Sequence, residues 1–181
     1  MGTDRDPAIV RELTDGERAI AASVFGDALD CDKVLLRRAK WFMFQPAWVT
    51  MAPDGDIWFH PNGGVWCGDF AARGLGFRTH LVHELTHVWQ RQQGINLILS
   101  RRPFAPYRYL PLIPGKPFTA YGIEQQASIV EDSYWLREGG DIIGAPPLAD
   151  YEALLPFKPA PAGVVPENAG HERSPWPYRA S

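Results

Sequence analysis

Cysteine is scarce in this chain. Cys31 and Cys67 are the only two among 181 residues, too few for a disulfide scaffold or a Cys-rich zinc site. Two reduced thiols are the expectation. Charge of one sign is also missing: 18 Lys and Arg stand against 21 Asp and Glu, a formal net charge of −3. That balance predicts no general affinity for nucleic acid or for acidic membranes. No apolar run approaches the length of a transmembrane helix. The opening Met1-Gly2-Thr3-Asp4-Arg5-Asp6-Pro7 is charged and leads into no apolar stretch, so no signal peptide is visible. Asp6 stands where myristoylation needs Ser or Thr. These absences predict a protein made in the cytoplasm, whose export would need a specialised machine that reads no cleavable signal.

Apolar material is plentiful. The apolar fraction is 45%, the aromatic fraction 12%, and seven tryptophans are present, which supports a packed core and excludes a disordered body. The length suits one domain with an appended tail. Thr14-Asp15-Gly16-Glu17 has capping-box spacing and predicts a helix through Phe25, ended by Gly26. Lys33 to Arg38 reads as a strand. Trp48 to Ala52, the turn Pro53-Asp54-Gly55-Asp56, and Ile57 to His60 read as a β-hairpin. A loop then runs through Gly76. A helix is predicted from Arg78 to Gln93, with Gly94 beyond its end and apolar groups on more than one side, the pattern of a largely buried helix. Residues 101–118 are broken by five prolines, and a last helix is predicted over Ala120 to Glu138. We therefore expect a domain over 10–144 and a Pro-rich, loosely ordered tail over 145–181, with a short helical turn near Tyr151 to Leu155.

The buried helix carries His83-Glu84-Leu85-Thr86-His87. Histidines four apart share one helix face, so both imidazoles can reach a single ion, and the glutamate between them can hold the water that the ion binds. Zinc prefers four ligands and, where catalytic, keeps one for water, so two histidines leave the set one ligand short. Candidates for the third are Glu124 and Glu131 on the last helix, and His60, His80 and His171. The two glutamates are seven apart and share a face, but lie ~10 Å apart along the axis, so only one can reach the same ion. An occupied site would activate water near neutral pH, with Glu84 accepting its proton and passing it to a departing amine. Tyr107, Tyr109 and Tyr121 lie where a second donor to the developing oxyanion would be wanted.

The neighbourhood of this motif resembles a family. Phe25-Gly26-Asp27-Ala28 leading into Lys33-Val34-Leu35-Leu36, then Ala52 to Phe59, then Leu81 to Gln90, resemble the metallopeptidase domain of extracellular contractile injection systems and polymorphic toxins. The resemblance covers roughly residues 17–93. Tyr121-Gly122-Ile123-Glu124-Gln125-Gln126-Ala127 is similar to small bacterial proteins described as Vgr-related, after the spike of type VI secretion. In the wider gluzincin clan, the third ligand is a Glu on a following helix, in a Glu-x-x-Ala-Asp context. The resemblance thus implies Glu124 as the third ligand. It also exposes a departure, because position 128 is Ser where that Asp commonly orients a ligand histidine.

The resemblance implies a compact α+β, zincin-like (gluzincin) domain. A small sheet would lie beside the motif helix, and the Glu124 helix would close the site. It further implies a zinc-dependent hydrolase of peptide bonds, with Zn2+ held by His83, His87 and Glu124, Glu84 as general base, and a peptide or protein as substrate. The alternative is an accessory, adaptor or effector of a type VI or related contractile system, associated with the secretion spike, whose zinc site is structural or degenerate. The tail aromatics Trp176 and Tyr178 would suit docking under that alternative.

Overall fold

The computed structural model describes residues 9–100 and 107–158. Its sheet is small and mixed. Strand β1 (Ile9–Glu12) pairs antiparallel with β2 (Leu35–Arg38), β2 pairs in parallel with β4 (Ile57–Phe59), and β4 pairs antiparallel with β3 (Thr50–Met51), giving the order β1-β2-β4-β3. The β3–β4 hairpin and the β2 strand agree with the sequence pattern. β1 was not anticipated: four residues with exposed Ile9 and Val10 give no alternation to read.

Helix α1 (Asp15–Phe25) starts at the expected capping box, in which the Thr14 side chain accepts from Glu17 N and the Glu17 carboxylate accepts from Thr14 N. Glu17 does more than cap. It is fully buried, and its carboxylate takes two parallel hydrogen bonds from the Arg11 guanidinium of β1, at 2.7 and 2.8 Å. It also accepts from the backbone N–H of Phe70 at 2.8 Å. One carboxylate therefore joins β1, the start of α1 and the loop before the long helix.

That helix, α2 (Leu75–Gln92), begins three residues earlier than the pattern suggested. Leu75 and Phe77 enter the core, and the Thr79 hydroxyl donates to Leu75 O at 2.6 Å, so the first turn is held by packing and a side-chain bond, with no side-chain N-cap. Every residue from Leu75 to Gln90 is buried. Gly94, at φ 84°, reverses the chain beyond it. After the short α3 (Leu97–Ser100) and an irregular stretch, α4 (Ile123–Arg137) packs along α2, with Leu81, Leu85, Ile129 and Val130 fully buried.

The last helix, α5 (Leu148–Leu154), falls where a short helical turn was expected near Tyr151 to Leu155. Tyr151 is fully buried, and Phe157 lies against Phe25 and Trp89 with ring centroids 4.9 and 5.2 Å apart. The body therefore extends to Phe157, because two aromatics in an otherwise polar and Pro-rich stretch suffice to anchor it. The rest of the expected tail, with His171, Trp176 and Tyr178, lies outside the described residues, as do Pro103 and Pro106.

Glu17→Ala should lower unfolding stability by about 3–5 kcal/mol, because it strands the Arg11 guanidinium and two backbone N–H groups. Exposed Glu12→Ala should change it by less than about 0.5 kcal/mol. Urea denaturation of the two variants measures the contrast.

Candidate metal centre

The motif helix and α4 bring His83, His87 and Glu124 together. Glu124 Oε2 lies 3.2 Å from His87 Nε2 and 3.7 Å from His83 Nε2, and one ligand atom from each of the three residues falls within 4.8 Å of the others. A tetrahedral zinc with ligand bonds of 2.0–2.1 Å holds its donor atoms roughly 3.3 Å apart, so these spacings fit such an ion. Two imidazoles and one carboxylate make a set of three, which suits a site that keeps a fourth position for water. Glu124 stands in the first turn of α4, where the helix dipole favours its negative charge.

Both imidazoles are oriented from behind. His83 Nδ1 meets Glu131 Oε2 at 2.9 Å, and His87 Nδ1 meets Gln90 Oε1 at 2.9 Å. The Gln90 amide has no freedom to flip, because its Nε2 donates both to Ile123 O at 3.0 Å and to Gln126 Oε1 at 2.9 Å. Gln126 is tied in turn, donating to Tyr121 O at 2.8 Å. Each histidine thus gives its Nδ1–H to a fixed acceptor and turns Nε2 toward Glu124.

The second glutamate of α4 therefore has a different task from the first. Glu131 was a rival for the third ligand; here it sits on the far side of the His83 ring from Glu124. Ser128 is half-buried, and the orienting carboxylate comes from one turn further along. Gln90 went unnoticed in the sequence, although its place three residues after His87 puts it on the same helix face.

The remaining candidates go elsewhere. His80 Nε2 pairs with Thr50 Oγ1 of β3 at 3.0 Å, and burial pushes its pKa down to about 3, so the ring is neutral. Glu84 is buried one turn on, with its Oε1 4.0 Å from His80 Nδ1. His60 accepts from Asn62 N at 3.0 Å and holds a turn. Of the three tyrosines, Tyr109 donates to Asp132 Oδ2 at 2.5 Å and shares a bond with Tyr151 OH at 2.8 Å, while Tyr121 OH accepts from Ile113 N at 3.1 Å. Tyr107 is the one that meets the cluster, its ring stacked on His83 with centroids 6.2 Å apart.

Charge is concentrated at His83. Burial disfavours its cationic form, but hydrogen bonds with Glu124 and Glu131 outweigh that and raise its pKa to about 10. Burial likewise opposes charge on Glu124, and the two histidines outweigh it, holding the carboxyl well below its usual range. In the metal-free chain this pairing stabilises the fold fully below the ordinary histidine range. It is lost as pH rises toward about 10.

No family model matches the chain. Over 137 residues, 71% of its length, it is 39% identical to the type VI secretion system spike protein VgrG2b of Pseudomonas aeruginosa, and it spans 13% of that protein. The solved effector domain of Pseudomonas aeruginosa VgrG2b superposes with a TM-score of 0.66 at 31% identity, covering 79% of this chain and 80% of that one.

Two outcomes test the centre. Glu131→Ala and Gln90→Ala should each weaken zinc binding by about 10–100-fold, whereas Glu124→Ala should lose far more. A competition titration with a chelating dye ranks them, and equal losses for Glu124 and Glu131 would undo the division of roles. Zinc added to metal-free protein at about pH 7.5 should expel about one proton, because the imidazolium at His83 must give up its Nε2 proton. Calorimetry in buffers of different ionisation enthalpy counts it.

Proposed function

We propose, from the premise that the chain belongs to the family of the VgrG2b effector domain, that it is an effector domain delivered by a type VI secretion system. At its destination it acts as a zinc-dependent hydrolase of the zincin type, cutting peptide bonds. The family membership supports the first part. The observation that carries the second is the convergence of two Nε2 atoms and one carboxylate, each imidazole fixed through its Nδ1.

His83, His87 and Glu124 would hold the ion, which when bound supplies a Lewis acid and a water of lowered pKa. Glu84 stands next in sequence to a ligand, where a general base belongs. It takes the proton of the attacking water and returns it to the departing amine. Burial keeps this exchange away from bulk solvent, and His80, neutral one turn earlier, adds no competing charge. Tyr107 would be the donor to the oxyanion; its ring lying on His83 supports that role, while Tyr109 and Tyr121 hold the surrounding loop.

The adaptor alternative drew its strength from Ser128, which suggested a degenerate site. Glu131, whose Oε2 meets His83 Nδ1 at 2.9 Å, supports the catalytic reading despite Ser128, while the relation to the VgrG2b effector domain favours the effector part of that alternative. A place on the secretion spike is compatible with either outcome and follows from the family alone.

Purified protein supplied with zinc should carry about one ion per chain, and His83→Ala or His87→Ala should lose it. Glu84→Gln should keep the zinc and cut peptide turnover by at least about 100-fold. Metal analysis beside a peptide-library cleavage profile reads both. Unchanged turnover in Glu84→Gln would remove that residue from the mechanism.

A further inference from the structure

The loop between β2 and β3 exposes apolar side chains that the fold does not use. Phe44 is 82% exposed, Met43 77% and Trp48 66%, with Phe42 also at the surface. Such exposure means that these groups stand out from the surface as a convex tip, where a groove would have shielded them.

The tip is built firmly. Gln45, at its centre, is only 3% exposed. Its Oε1 accepts from Trp41 N and its Nε2 donates to Val49 O, both at 2.8 Å, so one buried amide staples the two ends of the loop. The Trp41 ring meets Trp58 of β4 edge-on at 5.2 Å. Behind the loop, Gly63 lets the chain come close: a Cβ there would fall 2.5 Å from Ala47 O. A polar residue is thus buried in order to hold apolar ones in water, the reverse of ordinary partition.

Charge selects the occupant. From Lys33 to Pro53 the chain has no acidic residue, and it carries Lys33, Arg37, Arg38 and Lys40. Two of these cations are spoken for, Lys33 by Asp30 and Arg37 by Asp56. Arg38 and Lys40 remain, directly before the tip in sequence; Arg38 donates to the neutral Pro61 carbonyl and keeps its charge. The net charge of −3, which predicts no attraction to acidic membranes, conceals this local excess. Phe and Met at an apex, Trp on either side and cations adjacent in sequence form the order in which side chains meet a bilayer: acyl boundary, headgroup level, then anionic phosphates.

We propose that residues 41–48 form a membrane-docking loop that seats Phe42, Met43, Phe44 and Trp48 in the interface of an anionic lipid bilayer. This inference is independent of the metal centre. It is tested by flotation of the full chain with vesicles of phosphatidylglycerol and phosphatidylcholine, against phosphatidylcholine alone. The wild type should float with the anionic vesicles, and combined Met43→Ser and Phe44→Ser should lower its partition roughly tenfold or more, with an unchanged thermal midpoint. Ile143→Ser, which removes an equally exposed apolar group elsewhere, should leave flotation intact, and so should a chelator. Failure of the wild type to float overturns the proposal, as does undiminished flotation of the double variant. A concentration-dependent dimer that the double variant abolishes, without vesicle binding, would assign the loop to a second copy of the chain and overturn it equally.

Discussion

Helix α2 runs through the core, where a polar side chain without a partner costs free energy. It carries an unusual load of them, and much of the structure is arranged around where most of them go, the buried Glu84 Oε2 at the candidate centre being an exception. Thr79 and Thr86 turn back to carbonyls of their own helix. His80 finds Thr50 on the sheet, and Arg78 reaches Glu138 beyond the end of α4. His83, His87 and Gln90 are all answered by α4 or by the turn leading into it. Apolar packing of α2 on α4 alone would hold two helices together at many registers. The polar contacts admit one, since a slip along the axis would part Glu131 from His83 and Gln90 from Gln126 together.

This explains what could be read in the sequence and what could not. The capping box at Thr14, the β3–β4 hairpin and the two long helices depend on residues a few positions apart, and they were legible. The motif at 83–87 was legible for the same reason, since its geometry is set within little more than one helical turn. Glu17 shows the limit. Its spacing from Thr14 marks a cap, but its bonds to Arg11 and to Phe70 N, 53 residues away, depend on the fold bringing β1 and a distant loop to it. Tyr151 and Phe157 were hidden in the same way, because aromatics among prolines look like a tail until a hydrophobic surface is present to receive them.

Within the centre, helical spacing showed that Glu124 and Glu131 share a face but could not show what lies between them. The structure places the His83 ring there, with Glu124 at one nitrogen and Glu131 at the other. Two carboxylates on opposite edges of one imidazole have opposite uses. The one at Nδ1 holds the ring's proton and strengthens its donor character, and in the proposed centre the one at Nε2 would join it as a ligand. Glu131 can play that part from its own turn of α4, because the ring needs only an acceptor at the right edge.

The same economy appears in the glutamines. Gln45, Gln90, Gln125 and Gln126 each use both ends of the amide, accepting with Oε1 and donating with Nε2. A neutral amide satisfied at both ends can be buried without the desolvation cost of an ion. It is also directional, since a flip would set donor against donor and acceptor against acceptor. At Gln90 that direction is passed to an imidazole; at Gln45 it joins the two ends of the 41–49 loop. The polar groups of this fold are therefore its positioning elements, and beneath the exposed apolar tip of 41–48 one buried amide ties the ends of the loop together.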